Sequence, residues 1–134
     1  MYAPILEINT NKVTENAKKL HDFCASKGVE LVFATKGFSA RPEVIRAAMA
    51  GGITSFADSR MKNIMAAKQA IPGLKYLLIR IPAILEAEEV VRWADWSLQS
   101  QIEVIRAVSE AALRQGKIHP IILMIDVGDL REGV

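Results

Sequence analysis

Five short apolar runs punctuate the chain: Leu31–Thr35, Ser55–Ala57, Tyr76–Ile81, Trp96–Leu98 and Ile121–Ile125. Each begins roughly 20 to 25 residues after the one before, the spacing of repeated βα units. The intervals carry helical periodicity at Val44, Ile45, Ala48 and Met49, and then at Met61, Ile64, Met65 and Lys68. It continues at Ile84, Ala87, Val90, Val91 and Ala94, and finally at Ile102, Ile105, Val108, Ser109 and Ala112. Each such stripe suits a helix laid on a sheet. Leu77-Leu78-Ile79 and Ile121–Ile125 are apolar without alternation, which fits strands covered on both faces in a parallel sheet. Boundary residues agree: Pro42 suits a first helical turn, Ser59 an N-cap, and Ser100 with Glu103 a capping box. Gly28, Gly51 or Gly52, and Gly116 supply C-terminal stops. The fold class is α/β.

A leading segment, residues 1–30, precedes the series as a strand, Ile5-Leu6-Glu7-Ile8, and a helix from about Thr10 to Lys27 with Val13, Ala17, Leu20 and Cys24 on one face. Residues 31–134 then hold five strands, whereas a (β/α)₈ barrel needs eight and typically about 250 residues. Two architectures remain open on periodicity, a small doubly wound sheet and the front portion of a barrel. The stretch Asp126–Val134 breaks off in a βα loop with no helix to cover the last strand, so truncation is expected.

Composition removes several function classes. With 17 Lys and Arg against 15 Asp and Glu the net charge is +2, and the signs are interspersed, without a basic block to track nucleic acid. The longest strongly apolar run falls far short of the roughly 20 residues needed to cross a bilayer, and Met1-Tyr2-Ala3-Pro4 lacks the features of an export signal, so no membrane partner is expected. A single cysteine, Cys24, on the buried stripe of the leading helix, cannot form an internal disulfide, and a cytoplasmic location is expected. There is no phosphate-cradling glycine loop, since Gly51-Gly52 follows a helix. His21, His119 and Cys24 have no metal-ligand spacing. Trp93 and Trp96 read as packing anchors.

In both architectures ligands gather at the C-terminal ends of the strands, where Lys36, Asp58, Arg80, Ser100 and Asp126 stand. Lys36 closes the first run, shares a face with Val32 and Ala34, and precedes Gly37. A lysine there, desolvated in a closed site, is a nucleophilic amine able to form Schiff bases; the bland alternative is a solvated loop residue. Arg80 and Arg131 offer planar forks to anions, or else pair with surface carboxylates. Asp58-Ser59-Arg60 is either a ligand loop or a helix cap.

Taken in order, Ala34-Thr35-Lys36-Gly37, Phe56-Ala57-Asp58-Ser59-Arg60, Leu78-Ile79-Arg80-Ile81-Pro82, Ala94-Asp95-Trp96-Ser97-Leu98 and Ile121 to Gly133 resemble the pyridoxal-phosphate amino-acid racemases of the alanine-racemase fold, and among them the ornithine racemase type. With Leu6-Glu7-Ile8-Asn9 the resemblance runs over nearly the whole chain. It implies the N-terminal part of a barrel, pyridoxal 5'-phosphate as cofactor, and racemisation of a small free amino acid. Lys36 takes the position of the lysine that binds the cofactor and serves as one of two bases. Asp126 to Gly133 resembles the family's pattern of Asp, small residue, Gly, two variable positions, Arg, one variable position and Gly, so Arg131 inherits a place near the cofactor's phenolic oxygen. Arg80 and Asp58 are further candidates for cofactor contact. Where many alanine racemases carry a carbamylated lysine, this chain has Met124. The second base, the phosphate loops, the last barrel strands and a β-rich domain fall outside these residues, and a homodimer is expected, or association through the open edge left at the apolar strand Ile121 to Ile125. The alternatives are a single-barrel cofactor carrier without turnover and an inactive fragment.

Overall fold

The computed structural model describes residues 4–130 and 132–134. Helix α1, Thr10–Ser26, begins where the Asn9 side chain accepts a hydrogen bond from Lys12 N at 3.1 Å. Strands β1 (Val32–Ala34), β2 (Ser55–Asp58), β3 (Lys75–Leu78), β4 (Trp96–Gln99) and β5 (Ile121–Leu123) alternate with α2 (Pro42–Ala50), α3 (Met61–Ala70), α4 (Ala87–Trp93) and α5 (Ile102–Arg114). Each of the five apolar runs overlaps a strand, to within a residue at its start.

The strands lie side by side in chain order, every neighbouring pair parallel. A doubly wound sheet reverses its order at a switch point and takes helices on both faces. Here the order never reverses, and α2, α3 and α4 all meet one face, with Ile45, Ile64, Ala67 and Val90 packed on Phe56, Tyr76 and Leu78. A sheet running one way with its helices on one side is the wall of a (β/α)₈ barrel, five strands long. A second cluster, which includes Ala87, Val91, Val104, Val108 and Ala111, joins α4 to α5.

Helix α1 packs on α2 instead of on a strand. The contact is close enough that a Cβ at Gly51 would stand 2.6 Å from both the Ala17 Cβ and the Thr14 carbonyl oxygen, so glycine is required there by space.

Several local expectations are corrected. Residues 4–9 join no sheet; Ile5 and Leu6 are exposed, because β1 pairs with β2 and no described strand lies on its other side. Ser59 does not cap α3, whose N-cap is Arg60, and Ser100 with Glu103 forms no capping box, since α5 starts one residue later with Gln101 as its N-cap. Met49, Ile84, Ile102 and Leu20 are exposed, and the buried stripe of α5 is turned to Val104, Val108, Ala111 and Ala112.

Candidate functional site

The strand ends converge on a cavity of about 270 Å³ lined by Lys36, Ile79, Leu98, Met124, Asp129 and Glu132. Ile79, Leu98 and Met124 come from the ends of β3, β4 and β5, on the sheet face turned away from the helices. Lys36 reaches the cavity from a single 3₁₀ turn, Lys36–Phe38, that ends β1. Its side chain is exposed and makes no ion pair among the described residues. The turn leads into Ser39 and Ala40 with φ of 54° and 52°. Two consecutive non-glycine residues in the left-handed region cost about 1 kcal/mol or more each and persist where packing dictates them. Ala40 is buried in the core, which supplies that packing.

Asp58 lies on the other side of the sheet. It is fully buried and shares the helix-facing side of β2 with Phe56. Its carboxylate accepts from Thr35 Oγ1 at 2.7 Å, from the Arg60 backbone N–H at 2.9 Å, and from Asn63 Nδ2 at 3.2 and 3.1 Å. The Tyr76 hydroxyl donates to Thr35 Oγ1 at 3.3 Å. Burial pushes the Tyr76 hydroxyl up to about 12, against the opposing pull of the Thr35 contact and with a further rise from the Asp58 charge. Asp58 therefore ties β1 to β2 and to the start of α3, with its lone pairs occupied by the protein.

Arg80 is likewise engaged. Its guanidinium binds Glu86 with two parallel contacts, at 2.7 and 2.5 Å, and its Nε donates to the Ser59 carbonyl at 2.7 Å. Glu86 reaches back to accept from Ala83 N at 2.7 Å, fixing the short turn before α4. The pair holds the Glu86 carboxyl below the usual carboxylate range and raises the Arg80 guanidinium. The fork proposed for an anion thus grips a carboxylate of its own chain.

The segment after β5 folds around Asp126, whose carboxylate accepts from the Gly128 N–H at 2.7 Å and the Leu130 N–H at 3.3 Å. The chain then returns to its own stem, with Val134 N donating to the Met124 carbonyl at 3.0 Å and Asp126 N to the Val134 carbonyl at 3.2 Å. Gly133, at φ 151°, lies so close to this stem that a Cβ would stand 2.8 Å or less from backbone atoms of Ile125 and Asp126. This turn carries Asp129 and Glu132 to the mouth of the Lys36 cavity. Ser100 and Asp126 line a neighbouring recess with Ile81 and Gln101. Arg131 lies outside the described residues.

Of Lys36, Asp58 and Arg80, the structure brings only Lys36 to the cavity. Sequence reading missed Thr35 and Tyr76 as partners of Asp58, and Asp129 and Glu132 as cavity residues. The first omission had a signal: Ala34 pairs with Ala57, so Thr35 and Asp58 stand next in register at two adjacent strand ends.

Lys36, an amine with no ion pair among the described residues, beside Ile79, Leu98 and Met124, suits the aldehyde end of pyridoxal 5'-phosphate, while Arg80 is already occupied by Glu86.

Comparison with known proteins places this geometry. The chain is 34% identical over 130 residues to an ornithine racemase of Acetoanaerobium sticklandii, covering 97% of this chain and 36% of that one. It is also 34% identical over 134 residues to a lysine racemase of Thermotoga maritima, covering 100% and 38%. It therefore spans a little over a third of the length of these curated relatives. Among solved structures, a D-threonine aldolase from Filomicrobium marinum matches with a TM-score of 0.83 at 22% identity, over 99% of this chain and 37% of that one. PipY of Synechococcus elongatus PCC7942, solved with PLP bound, matches with a TM-score of 0.74 at 19% identity, over 84% and 55%. These two likenesses establish the barrel-wall fold. The family described as alanine racemase, N-terminal domain, matches residues 8–134, from before the first helix to the turn around Asp126, and this chain belongs to it.

Proposed function

We propose that this chain is the lysine-bearing part of a pyridoxal-phosphate-dependent racemase acting on a free basic amino acid such as ornithine or lysine. The observation that carries the reading is Lys36, an amine with no ion pair among the described residues, on a turn at the C-terminal end of β1, lining a cavity with Ile79, Leu98, Met124, Asp129 and Glu132. Its support beyond geometry is the 34% identity to two racemases of diamino acids. The aldolase likeness, at 22% identity, speaks for fold and not for reaction.

In this reading residues 31–134 belong to the cofactor barrel and residues 1–30 lead into it. Lys36 Nζ would hold the cofactor and would move the proton at the substrate Cα on its own face. The bound cofactor supplies an electron sink that makes this proton acidic. Ile79, Leu98 and Met124 line the cavity beside the exposed amine, and Arg131 keeps the role toward the cofactor's phenolic oxygen that the resemblance implies. Return of the proton from the opposite face, which inverts the centre, needs a second base. The 134 residues alone, a little over a third of such an enzyme, are expected not to turn over, and a second subunit of a homodimer is expected to complete the site.

The alternative is a cofactor carrier without turnover, which would use the same Lys36 attachment and need no second base. The test is interconversion of L- and D-ornithine and of L- and D-lysine by the protein that carries this chain, supplied with pyridoxal phosphate. Racemisation lost in Lys36→Ala supports the proposal. Cofactor held at Lys36 without interconversion of any amino acid supports the carrier.

A further inference from the structure

We infer that Thr35, Asp58 and Tyr76 form a buried three-strand clamp that positions Lys36, so that the aim of the amine depends on one threonine hydroxyl. The inference rests on the reading of Lys36 as the point of cofactor attachment.

Each bond of Thr35 leads elsewhere in the fold. Its N–H donates to the Ala57 carbonyl at 2.8 Å, in register with the ladder to β2. Its carbonyl accepts from Phe38 N at 3.2 Å and Ala40 N at 3.1 Å, closing the turn in which Lys36 is the first residue. Its hydroxyl accepts from the Tyr76 hydroxyl on β3 and donates to the Asp58 carboxylate on β2 at 2.7 Å, with the Ala57 carbonyl at 3.1 Å beside it. Thr35, Asp58 and Tyr76 are all fully buried, so water cannot substitute for a missing partner. A neutral donor, the phenol of Tyr76, thus points at a hydroxyl that points at a charge, and hydrogen bonds in such a chain reinforce one another.

The clamp lies on the helix-facing side of the sheet, while the cavity lies on the opposite face. None of the three side chains lines the cavity, so they are positioning residues. Asp58 in turn is fixed by Arg60 N and Asn63 Nδ2, which extends the hold to the start of α3. Substitution at the clamp is expected to leave the amine present and accessible but poorly aimed. Misplacement of a reacting group by about 1 Å costs up to about 100-fold in rate, and a loosened turn is expected to cost on the order of tenfold.

The test measures the rate at which pyridoxal phosphate, trapped by borohydride, becomes attached at residue 36, with exposed Lys62 of the same molecule as internal reference and circular dichroism confirming a folded sample. Thr35→Val removes the hydroxyl and keeps the shape, Thr35→Ser restores it, and Tyr76→Phe removes only the first donor. The expected result is attachment at Lys36 slowed about tenfold in Thr35→Val and less in Tyr76→Phe, wild-type rates in Thr35→Ser, and Lys62 unchanged throughout. Wild-type rates in Thr35→Val, or equal slowing in Thr35→Ser, would overturn the clamp. If Thr35→Val does not fold, Tyr76→Phe decides, and an unslowed rate there overturns it. Failure of the underlying reading looks different, because wild-type Lys36 would then take no label beyond that of Lys62.

Discussion

The sheet is held very differently in its middle strands and at its last one. Around β1 to β3, Thr35, Phe56, Asp58, Tyr76 and Leu78 are inaccessible to solvent, and Phe56 stacks between Phe33 and Tyr76 at centroid distances of 6.2 and 5.9 Å. At β5, Ile121, Ile122 and Leu123 are 39%, 45% and 50% exposed, and an apolar groove between β5 and α5 is lined by Ile105, Val108 and Leu113. Both regions place apolar side chains on their strands, and the difference lies in what covers them. The covered region holds Thr35, next to the exposed Lys36, within the described residues. The uncovered end carries the turn around Asp126, which shapes itself through its own carboxylate and the close contact of Gly133.

This contrast gives unequal mutational costs. Phe56→Ala is expected to lose about 3–5 kcal/mol of stability, whereas Ile122→Ala, half in solvent already, loses under about 1 kcal/mol. Urea unfolding of the two variants measures it, and equal costs would erase the distinction. Next in size, Asp58→Ala orphans the Arg60 N–H and the Asn63 amide and leaves the Thr35 hydroxyl only the Ala57 carbonyl, and is expected to cost on the order of 2 kcal/mol.

Smaller again is the Arg80–Glu86 pair, each side chain 29% exposed, for which Arg80→Ala is expected to cost about 1 kcal/mol or less after solvent screening. Arg80 depresses the Glu86 carboxyl in the folded state, so the unfolded chain takes up the proton first as the solution is acidified. The stability from the pair is therefore present above the ordinary glutamate value of about 4.3 and is lost as pH falls through and below it. Denaturation of wild type and Arg80→Ala across this range should converge at the acid end. The smallest change in stability, within about 0.5 kcal/mol, is expected for Leu123→Lys on the exposed strand. The same substitution should reduce self-association of the 134-residue chain in light scattering, because charge blunts an apolar edge.

The alternation of strand and helix was legible in the sequence because the period of βα units and the unbroken apolar runs at Leu77–Ile79 and Ile121–Ile125 depend only on local pattern, whereas the choice of a barrel over a doubly wound sheet depended on the resemblance. Lys36 was legible as a strand-end lysine, but its role rested on the resemblance. Asp58 and Arg80 were legible as polar strand-end residues, but their partners were not. Thr35 stands 23 residues from Asp58, Tyr76 stands 41 from Thr35, and the pairing depends on parallel register that no local period encodes. The leading strand was misjudged for the same reason: Ile5-Leu6-Glu7-Ile8 has strand-forming residues, but no described neighbour offers it a ladder.

The central claim is that Lys36 is the residue to which the cofactor attaches. Borohydride reduction of the protein in pyridoxal phosphate, followed by peptide mapping, tests it most directly. The account predicts one dominant stable adduct at Lys36, absent in Lys36→Ala. A dominant adduct on any other lysine, or labelling spread evenly over the exposed lysines, would contradict it.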